Sequence, residues 1–284
     1  MHNSIICLLI FLTITYNSAF ASVHGADTEP KKESPAFADK SRLLINELSK
    51  INDTHIGGVE AIHLILEQAL QMSPNIANKN ILDIGCGFGG TANFLQKEGF
   101  KQIWGIDIDA SAIEYSKQHY PDVQFTVADA TKLTAVFEDE FFSFVYMFNV
   151  AYAIDDKAAM LQKIKAVCKQ GAVLAIFDYA LKDPSYADAI IDITGAKIPP
   201  LNIDKLKTLL VILGWEVVEN TDITEKYKSW YKNLLARIDS QKEMLIASGY
   251  SVEEIKLVQD NLLHMLSLMN ENKLGGTILF AKKL

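Results

Sequence analysis

Ile81-Leu-Asp-Ile-Gly-Cys-Gly-Phe-Gly-Gly90 carries a short apolar run straight into a turn with glycine at positions 85, 87, 89 and 90. An apolar run of this length, bounded by glycines, predicts a buried strand at 80–84 that ends in a tight turn and opens a helix. The pattern continues on the C-terminal side. Strand-like runs at 103–106, 123–127, 141–146 and 173–177 alternate with helical segments near 91–98, 111–119 and 157–167. Alternating βα units of this kind build a parallel, doubly wound, Rossmann-like α/β sheet. Upstream, Asp39 is placed to cap a helix with Leu43, Leu44, Leu48 and Ile51 on its apolar side. Gly57-Gly58 then precedes a second helix carrying Val59, Ile62, Leu66 and Leu70. Downstream, Pro184, Gly195, Pro199 and Pro200 mark an irregular insertion, followed by a helix at 203–213 and a strand at 215–219. A long helix then sets Tyr227, Trp230, Tyr231, Leu234, Leu235 and Ile238 on one stripe, a spacing expected of core. Ser251 with Glu254 caps a final helix, and a strand at 277–281 ends the chain.

The glycine spacing fits two ligands. G-x-G-x-x-G through Gly85, Gly87 and Gly90 is a dinucleotide pattern, whereas D-x-G-x-G-x-G runs through Asp83, Gly85, Gly87 and Gly89. Charge separates them. A pyrophosphate seeks the positive end of the following helix and is repelled by a carboxylate at the strand end. S-adenosylmethionine, which carries a sulfonium and an ammonium and no phosphate, is attracted to Asp83. The second acid is Asp107 in Gly105-Ile-Asp107-Ile108-Asp109, ending the second strand 22 residues beyond Gly85. A carboxylate there accepts both hydroxyl hydrogens of a ribose. Ala128-Asp129-Ala130 follows the third strand, where a carboxylate accepts a hydrogen bond from an adenine amino group. Three such features, in order at the carboxyl ends of consecutive parallel strands, lie where this kind of sheet binds its ligand.

The 284 residues are 49% apolar, enough for one α/β domain with a continuous core. A formal net charge of −8 without a basic block argues against nucleic acid as a partner. Cys7, Cys86 and Cys168 have neither metal-ligand spacing nor a disulfide pattern, so no metal is expected. The apolar run at 5–16 is too short to span a bilayer and precedes Ala19-Phe20-Ala21, a small-x-small cleavage pattern. The expected organisation is therefore a signal peptide at 1–21, a flexible linker at 22–38 and the main domain at 39–284. Such a chain is exported or secreted, with no membrane span after cleavage, and cytoplasmic if the N-terminus is kept. The oligomeric state is not legible.

The strand-one motif ending at Gly90, Gly105-Ile-Asp-Ile-Asp109, Val127-Ala-Asp129 and Gln170-Gly-Ala-Val-Leu-Ala-Ile-Phe-Asp178 closely resemble motifs of class I S-adenosylmethionine-dependent methyltransferases. The likeness covers about 52–284 and implies a seven-stranded sheet whose last strand, 277–281, is antiparallel. It also implies donor contacts from Gly58, Asp83, Gly85, Gly87, Gly89, Asp107, Ile108, Asp129, Ala130 and Asn149. A narrower likeness is to the phosphoethanolamine methyltransferases. His55-Ile-Gly57-Gly58-Val-Glu60 looks like their glycine pair that closes over the donor, and Asp222-Ile-Thr-Glu-Lys-Tyr227 looks like their C-terminal region. The acceptor half departs from that branch. No Tyr lies between Ser22 and Asn80, Asn149 and Ala153 stand where the branch has an acid and a His, and 183–200 lacks its phosphate-binding run.

Methyl transfer requires alignment of the nucleophile more than proton chemistry. Asn149, Tyr152 and His55 are the candidate catalytic residues, with Asp178, Tyr179 and Tyr186 near the same edge. Cys86 has no visible base and reads as packing. The activity expected is methyl transfer to a small molecule, an amine by preference. The competing readings are a donor-binding protein that has lost catalysis and an NAD-dependent oxidoreductase, the latter opposed by Asp83.

Overall fold

The computed structural model describes residues 37–49, 55–186, 190–191 and 197–284. The expected signal peptide, most of the linker, Ile51 and Gly195 lie outside the described residues. Seven strands form the main sheet: β1 (Asn80–Ile84), β2 (Gln102–Asp107), β3 (Gln124–Val127), β4 (Phe142–Phe148), β5 (Cys168–Leu181), β6 (Trp215–Asp222) and β7 (Leu274–Lys283). Their order is β3-β2-β1-β4-β5-β7-β6. The first five are parallel, and β7 runs antiparallel between β5 and β6. A two-residue hairpin pairs Ile190–Ile191 with Lys197–Ile198.

The central strands are mostly apolar because helices cover both faces. In β4 and β5, Phe144, Val145, Met147, Val173, Leu174 and Ile176 are fully buried. The helices are α1 (Phe37–Leu48), α2 (Gly58–Met72), α3 (Gly90–Lys97), α4 (Ala110–His119), α5 (Lys157–Val167), α6 (Ile203–Ile212), α7 (Thr224–Ser240), α8 (Lys242–Ala247) and α9 (Val252–Asn270). The box at the start of α9 closes as expected. Ser251 Oγ accepts from Glu254 N at 3.1 Å, and Glu254 Oε2 accepts from Ser251 N at 2.9 Å.

Three expectations are corrected. Helix α1 begins at Phe37, so Asp39 lies inside the first turn rather than capping it, and the helix takes the last residues assigned to the linker. Leu70 is exposed, and α2 buries Ala61, Ile62, Ile65, Leu66 and Ala69 instead. Strand β5 extends well past 177, because β7 pairs along it as far as Leu181.

Candidate active site

The switch in strand order between β1 and β4 opens a crevice at the carboxyl edge of the sheet. The glycine turn forms one side. Gly85 N and Cys86 N both donate to Ile106 O, at 2.8 and 2.9 Å, which presses the turn against β2. Gly85 has φ +70°, and a Cβ there would overlap the Val150 side chain. Only glycine fits both conditions. Asp107 Oδ2 accepts from Gly87 N at 2.9 Å and Oδ1 from Asp109 N at 3.0 Å. Each oxygen keeps a free lone pair, so Asp107 ties down the turn and still has acceptor capacity. Ile108 beside it is exposed, an apolar face at the crevice rim, while Ala130 is buried.

Asp129 caps the short helix that begins at Ala130. Its Oδ1 takes Thr131 N at 2.8 Å and Thr131 Oγ1 at 2.7 Å, and its Oδ2 faces Lys132 Nζ at 3.2 Å. Partial burial would raise its pKa, but these Thr131 bonds and the Lys132 charge hold it below the usual carboxylate value. Asp109 caps α4 and pairs with Arg42 of α1 at 3.5 Å.

Asp83 differs from the sequence reading. It is a buried carboxyl, not a charge displayed at the turn, because its place in the strand aims it into the helix layer. Burial pushes it up to about 8; the Tyr146 hydroxyl, close but outside hydrogen-bond geometry, opposes the shift and the Asp107 charge adds to it. Without a cation nearby, Asp83 is mostly protonated at neutral pH.

The opposite wall starts at Asn149, which leaves β4 with φ +53°. Its backbone N donates to Phe177 O at 2.8 Å and its Nδ2 to the Tyr227 hydroxyl at 2.9 Å. Its Oδ1 is buried with no hydrogen-bond partner among the described residues. Asp178 lies beneath. Its Oδ2 accepts from Tyr152 N at 3.0 Å and its Oδ1 from Tyr179 N at 2.8 Å. Burial pushes its carboxyl up to about 7 against these backbone donors. Aromatic rings fill the wall. Phe177 stacks on Tyr227 at 5.2 Å, Trp230 lies 5.9 Å from Phe177, and Tyr152 meets Tyr179 edge-on at 5.1 Å. The Tyr179 and Tyr231 hydroxyls are 2.7 Å apart. Tyr186 carries Lys273 Nζ over its ring at 5.3 Å.

His55 joins the two sides. Its ring stacks on Phe148 at 4.3 Å, next to Asn149. Its Nδ1 lies 3.1 Å from Ile56 O and its Nε2 3.1 Å from Thr91 Oγ1, in the first turn of α3. A carbonyl only accepts, so Nδ1 carries a proton and donates it to Ile56 O. Gly57 and Gly58 follow with φ +92° and +52°. A Cβ on Gly57 would stand 2.9 Å from the Trp230 ring, so α2 starts hard against α7. Glu60 locks that contact, accepting from Trp230 Nε1 at 2.7 Å and from Lys226 Nζ at 2.8 Å.

His55, Gly58, Gly85, Asn149 and Tyr152 thus meet at one edge with Asp83, Asp107 and Asp129. The sequence reading missed Glu60 and Thr91 and took Tyr227, Trp230 and Tyr231 as core alone. They are core, buried to the last few per cent, but their polar ends reach site residues. The available signal was chemical: a buried Tyr hydroxyl or Trp N–H needs a partner, which Phe or Leu does not.

Residues 82–176 match the family model described as "Methyltransferase domain". The chain is 29% identical over 205 residues to phosphoethanolamine N-methyltransferase 3 of Arabidopsis thaliana, covering 70% of this chain and 40% of that protein. It therefore spans about two fifths of the length of that relative. It is 30% identical to O-methyltransferase rstn1 of Aspergillus nomiae, covering 53% of this chain and 70% of that one. In fold it is similar to phosphoethanolamine N-methyltransferase 2 of Haemonchus contortus, solved with phosphomonomethylethanolamine and S-adenosylhomocysteine. The TM-score is 0.74 at 19% identity, over 87% of this chain and 60% of that one. With the strand order, the glycine turn and the acids at the ends of β2 and β3, these likenesses place the chain in the class I S-adenosylmethionine-dependent methyltransferases.

Proposed function

We propose that this chain methylates a small-molecule amine, with the donor held at the glycine turn and the acceptor against Asn149. The backbone of Gly85, Gly87 and Gly89, the free lone pairs of Asp107, the apolar face of Ile108, and Asp129 with Ala130 would hold the adenosine. Gly58 and Asn149 would line the charged end, with Asp83 buried beneath the turn. When bound, S-adenosylmethionine supplies an electrophilic methyl group on a positively charged sulfur.

One observation carries the choice of acceptor: the buried, unpartnered Asn149 Oδ1, fixed by the Tyr227 hydroxyl behind it. An amide oxygen accepts a hydrogen bond and takes no proton at neutral pH, so it suits a nucleophile that arrives neutral with an N–H to donate. An alcohol needs a base. Asp178, the carboxyl of this wall, is fully buried with its oxygens turned to the Tyr152 and Tyr179 backbone N–H groups. Asn149 orients the nitrogen, and the aromatic wall favours the cation formed on methylation. Tyr152 closes the wall through its bond to Asp178.

A second acceptor, phosphoethanolamine, is favoured by the names of the relatives. A phosphomonoester requires several convergent cationic or hydroxyl donors. The stretch 183–200 offers Lys197 as its one cation and carries Asp183, Asp188 and Asp192, which repel a phosphate. We therefore favour a free amine. Incubation with S-adenosylmethionine and either phosphoethanolamine or a panel of free amines, followed by mass spectrometry, decides. Turnover of free amines is expected; efficient turnover of phosphoethanolamine alone would overturn the choice. We also propose that residues 1–21 are removed on export. The intact mass of the protein from its host is then expected to begin at Ser22, and a full-length mass would refute this.

A further inference from the structure

Asp83 on β1 and Tyr146 on β4 are register partners in neighbouring parallel strands, so both side chains leave the sheet on one face. They are 3% and 1% exposed. Asp83 Oδ2 and the Tyr146 hydroxyl are both buried without a hydrogen-bond partner among the described residues. Buried polar atoms are rarely left so, and here two lie side by side beneath the turn proposed to hold the donor. A phenol and a carboxyl satisfy each other best when the carboxyl is ionised, since a charged acceptor makes the stronger bond. Among the described residues, no cationic side chain acts on the carboxyl to stabilise that ion. The ionisable neighbours are Tyr146 itself on β4, Asp107 on β2, whose charge opposes a second negative one, and Cys86 in the turn, whose thiol burial and both acids push up.

We infer that Asp83 and Tyr146 form a charge-responsive pair, in which the carboxyl releases its proton to solvent when a cation occupies the glycine turn and the Tyr146 hydroxyl then donates to the carboxylate. Tyr146 is a positioning residue, acting through Asp83. The inference rests on the proposed donor site. Transfer of the methyl group turns the sulfonium into a neutral thioether, so the carboxylate loses its counter-charge and takes a proton back. The pair thereby favours the donor over its demethylated product. The free carboxyl sits near 8 and a bound cation lowers it, so donor affinity rises with pH between the two values and levels off above about 8.

Titration calorimetry on the whole protein, in two buffers of different ionisation enthalpy, counts the protons released. The probes are S-adenosylmethionine and S-adenosylhomocysteine, and the variants are Asp83→Asn and Tyr146→Phe. At pH 7 the wild type is expected to release most of a proton more with the donor than Asp83→Asn does. Protons shed by the ligand's own amino group are common to both proteins. The excess is expected to shrink with S-adenosylhomocysteine. Tyr146→Phe is expected to bind the donor about five- to tenfold more weakly at pH 7, with the deficit closing by pH 9. Equal proton counts in the wild type and Asp83→Asn, or a Tyr146→Phe affinity that tracks the wild type at every pH, would overturn the inference. If Asp83→Asn does not fold, the Tyr146→Phe pH profile decides alone. Failure of the donor reading looks different: the wild type then binds no S-adenosylmethionine at any pH.

Discussion

The two sides of the crevice are built in opposite ways. The glycine-turn side comes from three consecutive strand ends and the loops that leave them, within residues 83–132, and its acids accept from backbone N–H groups of those loops. The facing wall collects Asn149 from β4, Asp178 and Tyr179 from β5, Glu60 from α2, and Tyr227, Trp230 and Tyr231 from α7. Its contacts span 78 residues from Asn149 to Tyr227 and 170 from Glu60 to Trp230. A site made of backbone geometry tolerates little change in its glycines and acids. A site made of side chains on separate elements is altered one residue at a time, which suits a conserved donor and a variable acceptor. The two sides touch at Gly85 and Val150, and at His55 between Phe148 and Thr91.

Substitution at the first of these contacts should break the comparison outright. Gly85→Val places a branched side chain at φ +70° and drives it into Val150, so both sides fail together. Strain and overpacking together are expected to cost about 2–4 kcal/mol of stability. Donor binding should be lost altogether, read by thermal melts and calorimetry; a variant that melts and binds like the wild type would separate the turn from the site.

Asp107→Ala should damage the turn side alone. Losing charge-assisted bonds to the ligand is expected to weaken donor binding by about 10–100-fold. The structure shows that Asp107 also restrains Gly87 N and Asp109 N, so a lower melting temperature is expected as well. Unchanged affinity for S-adenosylmethionine would remove Asp107 from the site.

Tyr227→Phe should damage the facing wall alone. It removes the hydroxyl that holds Asn149 Nδ2, and about 1 kcal/mol of orientation with it. The acceptor KM is expected to rise several-fold and the donor Kd by less, since the donor is held mainly by the glycine turn and Asp107. An equal loss on both ligands would mean that the two sides are not separable. The smallest effect belongs to Trp230→Phe, which keeps the ring and loses the bond to Glu60. The Glu60 side chain is 55% exposed, so the expected cost is below about 1 kcal/mol. A drop in melting temperature of a few degrees, with donor affinity intact, would show that this latch serves α2 and α7 rather than the glycine turn.

The sequence by itself determined the alternating strands and helices, the glycine turn, and acids at the ends of the first three strands. Each follows from local requirements: an apolar run for a strand covered on both faces, glycine where φ is positive, a short acid where a helix must be capped. Even the cap at Ser251 and Glu254 lies within four residues and was legible. Tertiary structure alone decided the rest. Asp83 reads as a charge in sequence, yet burial beside Tyr146 and Asp107 makes it a protonated carboxyl. Tyr227, Trp230 and Tyr231 read as a core stripe, yet the helix sets their polar ends against Asn149, Glu60 and Tyr179. Glu60 reads as one helix acid among many until α7 arrives beside it. Protonation and pairing depend on which distant groups are brought close and how much water is excluded, and neither quantity has a local pattern in the chain.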